Sequence, residues 1–329
     1  MTEPDWRQLP DLASRALSGS VVAANDEFFA ERENLIKPEA PVFNRYTFGA
    51  KGQVYDGWET RRRREAGHDH AIVRLGVPGI VHGVVIDTSF FTGNFPPEAS
   101  VEAAAVDGYP SPEELADATW QPLLRRSKLK GDSANVFAVV PSKRFTHVRL
   151  SIYPDGGVAR FRVHGEPVAD PRLLDLSSMD LAALENGGRV VGCSDMFYGS
   201  PQNLLLPGFA RVMGEGWETA RRRDDGNDWV TVGLAAPGRV RLAELDTSHF
   251  KGNAPGFATL RGLAGEKSVE LLPRTRLQPD TRHRFLLDSA EVVSEVRMDV
   301  FPDGGMARLR LIGAIADPAA FVHRWQSLS

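Results

Sequence analysis

Cysteine is almost missing from this chain: Cys193 is the only one in 329 residues. One thiol closes no internal disulfide and builds no cysteine-based zinc cluster, which excludes a secreted disulfide framework and fits a reducing compartment. Long apolar runs are missing as well. The most hydrophobic stretches, such as residues 79–86 and 285–287, fall far short of the roughly 20 residues that span a bilayer. The opening MTEPDWRQLP has acidic residues and prolines where an export signal needs a basic stretch and then an apolar one. These absences predict a cytoplasmic protein with no membrane partner. Nor is there an excess of positive charge: 39 Lys and Arg stand against 43 Asp and Glu, a net charge of −4, which argues against nucleic acid as a partner. What the chain does have is 31 glycines and 22 prolines, spread along its length, which predicts many turns between short elements and leans toward β structure.

The sequence also contains itself twice. Residues 57–64, GWETRRRR, return as residues 216–223, GWETARRR, identical at seven of eight positions. Residues 87–94, DTSFFTGN, return as residues 246–253, DTSHFKGN, at the same spacing of 159 residues. A third block, Pro154-Asp155-Gly156-Gly157 with Arg160 and Arg162, returns as Pro302-Asp303-Gly304-Gly305 with Arg308 and Arg310, now 148 residues apart. The first copy is thus longer between the second and third blocks. The expected insertion is residues 107–120, DGYPSPEELADATW, a proline-broken loop with a short helical turn. A fainter match of Asp26-Glu27-Phe28-Phe29 to Asp195-Met196-Phe197-Tyr198 carries the repeat toward its N-terminal edge. Ordered self-similarity of this kind marks a tandem duplication.

Within each copy the signal is short strands. Residues 146–153 alternate apolar and polar, the PDGG tetrad supplies a turn, and residues 158–163 resume the alternation, which reads as a hairpin; the second copy repeats it over residues 295–311. Adding 71–75, 80–86, 100–105, 121–127 and 135–140 predicts seven or eight strands per copy, an all-β fold of two tandem sandwiches or jelly rolls. Helices are expected only at the edges, over 12–17, 179–185 and 319–327. The expected domains are 1–168 and 189–329, with a proline-rich linker at 169–188.

Several residues could carry chemistry. In the expected hairpin Arg149 sits across from Arg162, and Arg297 across from Arg310. Like charges placed opposite one another repel, so the pairs call either for an anionic ligand held by a guanidinium fork or for ion pairs to Asp87 or Glu59 and their repeat equivalents. The run from Arg61 to Arg64 splits on a strand into two half-runs on separate faces, so Arg62 suits solvent, a salt bridge or a small anion. His68 and His70 share one side of a strand and could bind metal. The second copy has Asn227 and Trp229 in their places while keeping Asp228 for Asp69, so no metal site is assigned; either a histidine transfers protons, if this copy is active, or the aspartate orders the turn before the strand and the histidine pair is incidental. Asp87-Thr88-Ser89 stands at a strand end, where it could tie down a loop or face a ligand. No Ser-His-Asp order, phosphate loop or dinucleotide fingerprint is present, and no cofactor is expected.

The duplicated blocks, GWETRRRR with GHD, DTSFFTGN with DTSHFKGN, and PDGGVARFR with PDGGMARLR, resemble the paired repeats of the allantoicase family over most of the chain. The resemblance implies a duplicated galactose-binding-like jelly roll, a homo-oligomer, and hydrolysis of allantoate to ureidoglycolate and urea. Such a site needs a cationic clamp, amide partners for the ureido groups and a proton donor. Arg149, Arg162 and Arg62 are candidates for the clamp, Asn94 for the amide, and His68, Asp69, Glu59 and Asp87 for acid and base. Their second-copy equivalents are Glu218, Asp228, Asp246, His249, Asn253, Arg297 and Arg310. Copy one departs from the family pattern: His70 stands for the tryptophan, Phe90 for the histidine and Thr92 for the lysine that copy two keeps as Trp229, His249 and Lys251. Which copy, or which composite cleft between the copies, holds the site therefore stays open, as do a non-catalytic module binding a glycan or protein and an inactive paralogue.

Overall fold

A computed structural model describes residues 5–328. They fold as two compact units, the first made of the chain up to Val168 together with Leu328, the second running from Ala169 to Ser327. Each unit is an antiparallel jelly-roll sandwich. In the first the longer strands are β1 (Ser20–Ala24), β2 (Asp69–Asp87), β3 (Glu98–Ala104), β4 (Gln121–Lys128), β5 (Ala134–Ala138), β6 (Arg144–Tyr153) and β7 (Arg160–Pro167). One face has the order β1-β2-β6-β3-β4; the other is formed by β7 and β5 on the far half of β2. The second unit repeats the plan with β8 (Arg189–Cys193), β9 (Asp228–Asp246), β10 (Phe257–Ala264), β11 (Lys267–Arg276), β12 (Arg282–Leu286), β13 (Val293–Phe301) and β14 (Arg308–Ile315).

The alternation seen in the sequence sets the core. Val148, Leu150 and Ile152 from β6 face Phe161 and Val163 from β7, all fully buried, since every second side chain of a strand points to the same side. The two strands expected at 71–75 and 80–86 are one 19-residue strand, β2. Its first half pairs with β1 and β6 and its second with β7 and β5, with a register shift between Arg74 and Gly79.

That sharing corrects the expected hairpin. β6 and β7 are not partners: β6 pairs with β2 and β3, whereas β7 pairs with the other half of β2. The PDGG segment carries the chain from one face to the other, so Arg149 lies beside Ile72 and Glu102 and Arg162 beside Val85. In the second unit Arg297 pairs with Thr231 and Arg261, and Arg310 with Glu244. Arg149 and Arg162 do not face one another across a hairpin, nor do Arg297 and Arg310, so the ligand that this expected repulsion called for is not required; Arg297 instead stands opposite Arg261 and is held by Asp299 at 2.9 Å.

The helices are fewer than expected. Residues 12–17 contain only a 3-10 turn, Arg15–Leu17, and 179–185 holds the strand Met179–Asp180 before a turn at Leu184–Asn186. The C-terminal helix is present as Pro318–Ser327. The expected linker at 169–188 is in part the opening of the second repeat. Asp180 accepts from the backbone N–H groups of Leu311 and Ala182 as Asp11 accepts from those of Val163 and Ala13. Two insertions distinguish the first unit. Residues 107–120 hold the helix Pro112–Ala116, whose Ser111 and Glu114 form a reciprocal capping box. The second insertion lies between residues 36 and 58 and contains a small hairpin, Phe48–Gly49 with Gly52–Gln53.

Candidate functional site

The three duplicated blocks meet at one end of each sandwich, and their hydrogen bonds explain why they recur. Trp58 is fully buried and its indole N–H donates to the Asp26 carbonyl at 2.8 Å; Trp217 does the same to Asp195 at 2.8 Å. Neither indole is a surface platform for a sugar. Three hydrogen bonds join Thr60 and Gly156, and the Arg63 N–H donates to Asp155 at 2.7 Å, which docks the PDGG segment onto the first block. Gly157 must be glycine because a Cβ there would enter the buried Phe91 ring, and Gly305 faces Phe250 in the same way. The Gly157 N–H donates to the Asn94 carbonyl at 2.7 Å, and the Gly305 N–H to that of Asn253 at 2.8 Å, which ties in the second block.

One polar pair remains at this junction. The Asn94 amide donates to Glu59 Oε1 at 2.7 Å, and Asn253 donates to Glu218 Oε1 at 2.5 Å. Burial raises the Glu59 carboxyl above its ordinary range, and the amide bond from Asn94 offsets only part of that rise. A half-buried carboxyl beside an amide is suited to moving a proton at a ureide.

A family model described as the allantoicase repeat matches residues 10–168 and again residues 179–316. This chain belongs to the allantoicase family. A protein of Nocardia farcinica named probable allantoicase is 62% identical over 314 residues, covering 94% of this chain and 95% of its own length. A Streptomyces coelicolor protein of the same name is 51% identical over 330 residues, covering 96% and 88%. The crystal structure of an allantoicase from Saccharomyces cerevisiae superposes with a TM-score of 0.83 at 36% identity, covering 92% of each chain.

The other candidates in this allantoicase-family chain fall into two groups. His68, Arg63 and Arg149 line a separate cleft of about 500 Å³ in the first unit, with Asn25, His70, Glu102 and Tyr153. The Asp69 carboxylate is 1% exposed and accepts from Arg63 at 2.6 Å and Asn25 at 2.9 Å. Asp228 is held likewise by Arg222 at 2.7 Å and Ser194 at 2.9 Å. Arg149 binds Glu102 at 2.6 Å and lies over the Trp120 ring at 4.5 Å. Arg297 binds Asp299 at 2.9 Å and lies over Trp229 at 4.3 Å. The rings of His68 and His70 are 6.3 Å apart, and no group of three or more metal-ligating side chains gathers among the described residues.

The second group serves the scaffold. Asp87 accepts from the N–H and hydroxyl of Ser89, and Asp246 from those of Ser248, so both tie down their loops. Arg162 reaches Asp11 and the carbonyls of Pro38 and Glu39, while Arg310 reaches the carbonyls of Leu206 and Gly208 and lies near Asp180. Neither pairs with Asp87, Glu59 or their equivalents. Arg61 is paired with Asp26, whereas Arg62 is exposed and has no ion pair among the described residues.

Sequence reasoning missed Glu102, Trp120, and the anchors Asp11 and Asp180. The identical triplet Asp-Leu-Ala at 11–13 and 180–182 was the available signal for the anchors. Glu102 and Trp120 have no such signal, because the second copy has Arg261 at the position that matches Glu102 and no insertion to supply Trp120.

Proposed function

We propose that this chain hydrolyses allantoate to ureidoglycolate and urea, as part of purine breakdown, and that the carboxyl–amide pair at the end of the sandwich is where the reaction occurs. The observation that supports this reading is convergence: the blocks duplicated within this chain build the pair Glu59 with Asn94 and rebuild it as Glu218 with Asn253. Allantoate is one carbon bearing a carboxylate and two ureido groups. The glutamic acid gives its proton to the departing ureido nitrogen as the C–N bond breaks, while the lone pair of the remaining ureido nitrogen supports the electron-poor carbon. Water then adds to that carbon and its proton returns to the glutamate, so the balance is allantoate plus water to ureidoglycolate plus urea. The asparagine holds a ureido carbonyl or N–H. His68, Asp69 and Arg149 belong to the neighbouring cleft in this reading.

The same reading carries a small-molecule substrate, a cytoplasmic location and a homo-oligomeric state, with no nucleic-acid partner. The purified chain, incubated with allantoate, is expected to release urea and ureidoglycolate in equal amounts, with and without a chelator. No urea from folded protein would overturn the assignment.

A further inference from the structure

The two carboxyl–amide pairs have the same internal geometry but different surroundings. In the first unit the second insertion lies over the loop that carries Asn94. Phe43 stacks on Phe90 at 5.6 Å and on Tyr55 at 4.9 Å, and Tyr55 stacks on Phe91 at 4.8 Å. Lys51 of the same insertion donates to the carbonyl of Phe28, beside the segment whose Phe29 N–H bonds to the Glu59 backbone. In the second unit the shorter matching segment lies against the same loop through Ala210, which bonds to His249, and Met213, whose Sδ accepts from Asn253 at 3.3 Å, with no aromatic stack on that loop among the described residues. Phe197 and Tyr198 are 69% and 66% exposed, against 44% for each of Phe28 and Phe29.

The loop itself differs at two positions. His249 and Phe90 share a left-handed backbone, φ 73° and 71°, and each N–H donates to an aspartate, Asp280 or Asp132, at 2.7 Å. With the backbone equivalent, only the side chains differ. His249 Nε2 bonds to the Ala210 carbonyl at 2.9 Å, which anchors the loop, while Phe90 merely joins the aromatic stack. Two residues on, Lys251 is exposed and makes no ion pair or hydrogen bond among the described residues; Thr92 carries no charge.

We infer that hydrolysis is carried by the second repeat, with Glu218 as the proton-transferring group, Lys251 as the cation for the substrate carboxylate, and His249 as a positioning residue for the Lys251 loop. This rests on the proposed function, since it takes the carboxyl–amide pair as the reacting one. Allantoate demands a cation near that pair; Arg62 and its equivalent Arg221, both exposed and without an ion pair among the described residues, do not distinguish the repeats, and only the second repeat adds an uncommitted lysine on the loop that carries the asparagine. The first pair keeps the scaffold geometry under a cover of aromatic side chains.

The test compares isosteric variants of the whole chain, with urea release as the assay and circular dichroism as the check on folding. E218Q is expected to lower kcat about 100-fold or more, the scale of a lost acid–base group, and E59Q by less than a tenth of that factor. K251M, on an exposed side chain, should raise KM for allantoate about tenfold or more, with K251R recovering part of the loss. Equal losses in E59Q and E218Q, or a larger loss in E59Q, would overturn the assignment to the second repeat while leaving the carboxyl–amide pair as the site. Full activity in both variants would overturn the carboxyl–amide pair as the site of reaction, while the hydrolysis itself would stand.

Discussion

Arg149 and Arg297 occupy the same place in the two repeats, and each lies over an indole ring at nearly the same distance, 4.5 and 4.3 Å. The indoles come from different places. In the second repeat Trp229 stands on the strand itself, next to the buried Asp228. In the first that position is His70, and the ring comes instead from Trp120 at the end of the insertion. A guanidinium over an indole is a favourable contact, and the fold has kept it while changing its source. The exchange also leaves open the cleft around His68 and His70. Position-by-position comparison would score His70 as a loss, whereas in three dimensions the loss and the insertion are one substitution.

The two repeats can be driven apart or shown equal by experiment. The largest effect is expected at the buried aspartates. Asp69→Asn and Asp228→Asn should each cost about 3 kcal/mol in urea denaturation, the lower part of the range for breaking a buried ion pair, because Arg63 and Arg222 remain partly exposed. A marked inequality would mean that the two networks are not equivalent.

Acid should separate the units next. Burial, with Arg74 nearby, lowers the His147 imidazole from 6.5 to about 4. Its folded state therefore binds fewer protons than the unfolded chain between those values. The stabilisation is whole above pH 6.5 and is lost as the pH falls toward 4, by at most about 3 kcal/mol. The second unit has Glu295 at the matching position, so hydrogen exchange should show the first unit opening preferentially over this range. His147→Leu should remove most of the difference, leaving the smaller share of His70, whose imidazole pKa burial also lowers; if the difference persists undiminished, another group is responsible.

Smaller effects test the indole exchange. Trp120→Ala and Trp229→Ala should each lose about 1 kcal/mol from the arginine contact, and His70→Trp should recover stability in the Trp120→Ala background. Failure of that rescue would argue against the equivalence of the two indoles. Least costly is Ser111→Ala, which removes the cap of the helix in the insertion for about 0.5–1 kcal/mol, felt in the first unit alone.

Much of this was legible in the sequence because duplication supplies its own control. The strands, the insertion at 107–120 and the docking of three blocks all leave paired traces. The hairpin reading failed for a physical reason: alternation tells which side of a strand faces the core, and β6 and β7 do both face it, but it does not tell whether a turn joins neighbours in one sheet or passes between two. The clamp formed from Arg149 and Arg162 fell with it. Glu59 and Asn94 were both visible as candidates, yet their contact was not, since 35 residues separate them and neither strand pattern nor spacing brings them together.

The long strands β2 and β9 each run through both faces of their sandwich as a single backbone, fixed by hydrogen bonds on either side of one bend. Two sheets sewn by a common strand cannot slide across each other to widen the end where the blocks meet. A small molecule bound there, as proposed, would enter and leave by movement of the loops rather than of the sheets.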